Sequence, residues 1–202
     1  MPKSVGTWML LFMASLLCFA IIIPEAVAQN RVKLPPKQSS PTSLVPAKEP
    51  HPARLRSALL SIHGFSRPAL DAASADVPTL LRQFISDSNE SVTIHRQAIK
   101  ALRLYPSSKN LAFIQARVNL APVGLKRLYA AALGRYTGTL QTGAAVLLRG
   151  LVGDPDAGVR HSAIDAVRLL GVDADSRNIF TERLQVEPDP AVKRALSTAL
   201  QD

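Results

Sequence analysis

A chain of 202 residues, 47% hydrophobic and 19% charged with a formal net charge of +9, is long enough for one or two domains and too apolar to be disordered throughout. Its one long apolar run, Trp8 to Ile23, excludes a multi-span membrane protein, and its one cysteine excludes an internal disulfide. The positive excess points to an anionic partner only if it is concentrated in one place.

Residues 1–28 read as a secretory signal peptide. Lys3 and the amino terminus supply the positive start, and the apolar run that follows is shorter than the roughly 20 residues a bilayer span needs. Pro24 breaks it, and Ala26-Val27-Ala28 forms the small-x-small pattern for cleavage before Gln29. The rival expectation is an uncleaved N-terminal anchor. A lipid anchor on Cys18 is disfavoured because Leu17, not a small residue, precedes it. Cleavage removes Trp8 and Cys18 together, and with them thiol chemistry and cysteine-ligated zinc.

Residues 29–52 read as a linker. Six of these 24 residues are proline, none is aromatic, and the segment carries a charge of +3. Such a composition buries no core and favours extended, polyproline-like backbone. It is either a spacer that holds the remainder off a surface or a leader with no role of its own.

From residue 53 the pattern becomes periodic. Val159, Ala163, Ala166, Val167 and Leu170 are spaced by threes and fours, which places them on one helical face. The same template fits Ile94, Ala98, Ala101, Leu102 and Tyr105, then Leu125, Tyr129, Ala132, Leu133 and Tyr136, then Val192, Leu196, Ala199 and Leu200. A partial copy is expected at Ala58, Ser61, Ile62 and Phe65. The full copies are 31, 34 and 33 residues apart, a separation typical of repeat architectures. Second apolar segments lie between them, at 77–85, 111–118, 140–151 and 179–184. Each unit therefore reads as helix, turn, helix. Asp154-Pro155-Asp156 and Asp189-Pro190 are expected to set an Asp cap before a Pro at the first helical position, and Pro122 to start its helix in the same way. No alternating strand pattern of useful length occurs.

The run Asp154-Pro155-Asp156-Ala157-Gly158-Val159-Arg160, followed by Ala163, Ala166-Val167 and Leu170-Gly171, resembles the HEAT-repeat family of α-solenoids, in particular its bacterial HEAT-like members. The resemblance covers residues 53–202 and is loosest around Tyr129, where the acidic turn is missing. It implies an all-α fold, an α-solenoid of about four to five stacked helix pairs with the second helices on the concave side. It implies a binding surface more than any particular chemistry.

The charge divides sharply along this region. Residues 53–90 are neutral overall, residues 91–153 hold nine basic side chains and no acid, and residues 154–202 sum to −3. Arg160 is expected to pair with Asp154 and Asp156, and Lys193 with Glu187 and Asp189, all close in sequence. Lys126 and Arg127 have no acid close in sequence. With Arg96, Lys100, Arg103, Arg117 and Arg135 they are the candidate partner-binding residues, an exposed anion-binding surface. Stacking is expected to align columns such as Arg96 with Arg127 and His95 with Lys126 into a basic stripe along one edge of the inner helices.

Catalytic signatures are absent. There is no H-E-x-x-H, glycine-rich phosphate loop or G-x-S-x-G. His51 falls in the linker and His63 in the partial copy, with no second ligand beside it. His95 and His161 are two units apart, roughly 20 Å at a helix spacing of about 10 Å, too far to share a metal. Asp173-Ala174-Asp175 reads as a helix-start turn rather than a calcium loop. No cofactor, metal site or enzyme activity is therefore expected.

The expected protein is exported to the periplasm or cell envelope, as a scaffold or adaptor that binds a protein partner, acidic in character, through a concave basic surface. The alternatives are an envelope adaptor for anionic lipid or polymer and a lyase-like enzyme or subunit with HEAT-like repeats. Nucleic acid is disfavoured by export and by the lack of a basic run interleaved with aromatic residues.

Overall fold

The computed structural model describes residues 48–62 and 64–202. The expected signal peptide, most of the expected linker and His63 lie outside the described residues. Among the described residues every regular element is helical and no strand occurs. The order is α1 (Pro52–Leu59), α2 (Arg67–Ala73), α3 (Val77–Ser86), α4 (Val92–Leu102), α5 (Ser108–Val118), α6 (Val123–Leu133), a 3-10 turn (Gly138–Leu140), α7 (Gln141–Leu151), α8 (Ala157–Leu170), α9 (Ala174–Val186) and α10 (Pro190–Gln201).

Among the described residues, six of the ten α-helices begin where a polar side chain satisfies a free amide of the first turn. Ser91 caps α4, Ser107 caps α5, Asp173 caps α9 and Asp189 caps α10, each accepting from a backbone N–H two or three residues on. Pro190 takes the first helical position, as expected, and Asp173-Ala174-Asp175 is a helix start. Two expectations are corrected. Asp156, not Asp154, caps α8, so Pro155 precedes the helix and Asp154 instead accepts the Asp156 N–H. Pro122 is the cap residue of α6 rather than its first helical residue, and it supplies no side-chain acceptor.

The apolar faces meet as the spacing requires. The template residues that begin in α4 and α8 are buried throughout, as are Tyr129, Ala132 and Leu133 of α6, Tyr136 just beyond it, and Val192, Leu196 and Ala199 of α10. Each fully buried Leu, Ile or Val contributes about 1.5 to 3 kcal/mol relative to exposure. Contacts join α3 to α4, α5 to α6, α7 to α8 and α9 to α10. They also join α1 to α4, α4 to α6, α6 to α8 and α8 to α10, so the template-bearing helices pack on one another in succession. At Gly134, which ends α6, an added Cβ would lie 3.0 Å from the Cα and Cβ of Ala166 in α8. The two helices approach so closely because neither position carries a larger side chain.

The partial copy is corrected. Helix α1 ends at Leu59, its buried residues are Leu55 and Leu59, and Ile62 is 94% exposed. The chain leaves helical geometry after Leu60 and passes Gly64 at φ +76° before α2 begins. The apolar spacing of Ala58, Ser61, Ile62 and Phe65 therefore spans a helix end rather than a helical face. The end of the expected linker is tied to the helices. The Ala75 N–H donates to the Glu49 carbonyl at 2.9 Å, and the His51 N–H donates to Ser74 Oγ at 2.6 Å.

Candidate partner-binding surface

One position recurs at the start of the template-bearing helices. It is occupied by Arg56 in α1, His95 in α4, Lys126 in α6, Arg160 in α8 and Lys193 in α10. Three of these side chains reach an acid in the turn that precedes the next template-bearing helix. Arg56 Nε donates to Glu90 at 2.7 Å, and Lys126 Nζ donates to Asp154 at 2.9 Å. Arg160 Nε donates to Glu187 Oε2 at 2.8 Å, while its NH2 meets the other oxygen. The separations are 34, 28 and 27 residues, so each bond staples one helix pair to the next.

The Arg160–Glu187 pair is the most enclosed, with side chains 4% and 0% exposed. Arg160 NH1 also donates to the carbonyls of Asp154 and Pro155, both at 2.9 Å. Glu187 further accepts from Arg183 Nε at 2.8 Å and from the Asp189 N–H at 2.9 Å. Burial by itself raises this carboxyl. The hydrogen bonds from Arg160, Asp189 and Arg183 outweigh burial and bring it down to about 2. A buried charge pair is tolerable only when hydrogen-bonded in this complete way.

Several expectations about charge are corrected here. Arg160 pairs with Glu187, not with the carboxylates of Asp154 and Asp156. Those two acids belong to Lys126 and Arg127, the latter at 2.7 Å from Asp156. Its guanidinium and the Val159 N–H hold the Asp156 carboxyl below the ordinary carboxylate range. Lys126 and Arg127 therefore face acids of their own chain and are not free cations. Lys193 is exposed and makes no ion pair among the described residues.

The other five candidates divide by position. Arg96, Lys100 and Arg103 are exposed along one face of α4, and Arg103 shares a hollow with exposed Arg135, just beyond α6. These four make no ion pair among the described residues. Arg117 stands apart at the end of α5, donating to Ser86 Oγ at 2.8 Å with its guanidinium carbon 4.7 Å from the Phe113 ring centre.

The succession of staples is interrupted at His95. Its Nε2–H donates to the Asp87 carbonyl at 2.9 Å, in the turn before its own helix. The next turn, Asn119-Leu120-Ala121-Pro122, holds no acid. Five residues before the template residue Leu125, where the other turns carry Asp154 and Glu187, stands Leu120, 87% exposed. A cleft of about 470 Å³ opens there, lined by Ile85, His95, Arg117, Leu120, Leu125 and Tyr129 among others. A smaller hollow beside it, of about 320 Å³, is lined by Val92, His95, Arg96, Pro122, Gly124 and Leu125. Leu120 was not among the residues expected from sequence, although the acid missing from this turn is visible there, and His95 was expected only as one position of the basic stripe.

Among the described residues no helix is long and apolar enough to cross a membrane, and no group of three or more His, Cys, Asp or Glu side chains could hold a metal ion. Comparison of the chain with protein-family models, curated proteins and solved structures finds no match.

Proposed function

We propose that this protein is an exported, non-catalytic scaffold of the HEAT-like solenoid type, and that it binds a protein partner through the unpaired cations Arg96 and Lys100 of α4, Arg103 at its end and Arg135 just beyond α6. The pairing of α3 with α4, α5 with α6, α7 with α8 and α9 with α10, and the succession α4, α6, α8, α10, support a stack of repeats. The apolar run Trp8 to Ile23 with Ala26-Val27-Ala28 supports export to the cell envelope.

One observation carries the binding reading. The chain matches many of its cations with its own acids across helix pairs, yet Arg96, Lys100, Arg103 and Arg135 stay exposed and unmatched in a block with no Asp or Glu from 91 to 153. Four such cations held by packed helices favour an acidic partner. In-cell cross-linking tests the proposal. The native chain is expected to capture one protein reproducibly, and Lys100→Glu with Arg135→Glu to lose it while melting at the same temperature. Retention of that protein by the double variant would refute the basic-face reading. Salt-sensitive binding to anionic vesicles with no protein captured would replace the protein partner by a lipid surface.

A further inference from the structure

The interrupted staple at His95 has a chemical implication. Between α1 and the turn before α4, between α6 and the turn before α8, and between α8 and the turn before α10, a cation meets a largely buried carboxylate. Between α4 and the turn before α6 the acceptor is missing, and its place is an open cleft bordered by an exposed leucine.

We propose that this cleft receives a carboxylate from the partner, an Asp or Glu side chain within a peptide segment that also carries an apolar residue. The inference rests on the scaffold reading above and deepens it. The carboxylate would stand in for the missing turn acid. His95 has its Nε2–H committed to the Asp87 carbonyl, so Nδ1 of the neutral ring is an acceptor and could pair with a carboxylate only in the protonated imidazolium; the standing cations of the site are arginines. Arg117 lines the same cleft and Arg96 the adjoining hollow, both within the acid-free block, so the local charge favours an anion. The apolar requirement comes from Leu120 and from Val92, which is 67% exposed, together with the partly buried Leu125. A bare anion would leave these uncovered, whereas an acidic peptide with a neighbouring Leu or Ile would cover them. The chain's own segment 29–47 is a poor occupant, because it holds three cations and no acid.

The test uses the full chain and two labelled, end-blocked peptides, Ser-Gly-Leu-Glu-Leu-Gly-Ser and its Gln counterpart, with binding read by fluorescence anisotropy at low salt. The Glu peptide is expected to bind about tenfold tighter than the Gln peptide, as the loss of a charge-assisted pair implies. Leu120→Glu supplies the missing acid internally, so it is expected to abolish that preference. Because Leu120 is exposed, the melting temperature should not fall. Equal binding of the two peptides would overturn the proposal, and this arm needs no variant. An undiminished preference in Leu120→Glu would also overturn it, as would displacement of the peptide by phosphatidylglycerol vesicles at matched charge. The Lys100→Glu with Arg135→Glu chain separates the two ideas, because its altered residues lie outside the cleft. A cross-linked partner lost in that variant but kept by Leu120→Glu sinks the cleft alone. No protein captured by any chain sinks the scaffold reading even where the peptide preference holds.

Discussion

Replacing Glu187 by Gln keeps the shape of the most enclosed ion pair and removes its negative charge. In the native chain the carboxylate is fully buried and accepts from Arg160, Arg183 and the Asp189 N–H. After substitution Arg160, itself 4% exposed, retains a buried positive charge with only carbonyls and an amide to meet it. The depression of the carboxyl from 4.5 to about 2 corresponds to about 3 kcal/mol of stability at neutral pH. That agrees with the roughly 3 to 5 kcal/mol lost when one partner of a buried pair is removed. For a folded region of this size, the expected fall in melting temperature is about 6 to 12 °C. The sign with pH follows from the direction of the shift. A carboxyl depressed in the folded state contributes fully above its unfolded value and loses that contribution as pH falls from 4.5 through about 2. Urea denaturation followed by circular dichroism at pH 7, 4 and 2 should therefore show a gap of about 3 kcal/mol between native and Glu187→Gln chains that closes towards pH 2. A gap below about 1 kcal/mol at pH 7, the scale of an exposed pair, would refute the reasoning. So would a gap that does not change between pH 7 and pH 2.

The remaining predictions use the same denaturation assay. Asp202→Asn breaks the exposed pair with Arg168 and is expected to cost less than about 1 kcal/mol. Tyr136 has a buried hydroxyl without a hydrogen-bond partner among the described residues, so Tyr136→Phe is expected to be neutral or mildly stabilising. By contrast Tyr105→Phe gives up a 2.7 Å bond to Asp71 and should cost about 1 to 3 kcal/mol. Gly134→Val forces α6 away from Ala166 and is expected to lose about 1 to 3 kcal/mol by overpacking. Lys126→Glu places a second acid beside the nearly buried Asp154, so it should lower stability as well as any binding. That variant therefore cannot serve as a clean test of partner contact, whereas Lys100→Glu can.

The helices and their buried faces were legible because both are short-range properties. A spacing of three and four residues defines a face without reference to any other part of the chain, and the buried template residues of α4 and α8 follow it. Asp189 and Pro190 are adjacent in sequence, so the start of α10 was legible as well. The reading failed where two arrangements satisfy the same local pattern. Asp154 and Asp156 both suit a helix cap, and only the path of the turn selects Asp156. The apolar residues after Leu59 keep helical spacing although the helix has ended.

The sequence by itself determined a helical chain, an acid-free central block and the absence of known catalytic motifs. Which cations remain available was decided by tertiary structure, because the pairing acids lie 27 to 34 residues away on the neighbouring helix pair. That distance is close to the spacing of the template copies, so each staple crosses between successive units and neighbours in sequence do not reveal it. Lys126 and Arg127 have no acid close in sequence and are paired, while Lys193 stands near two acids and is not. Charge fixes only what a side chain can attract. Its partner is set by the packing distance between helices, and that exists only in the folded chain.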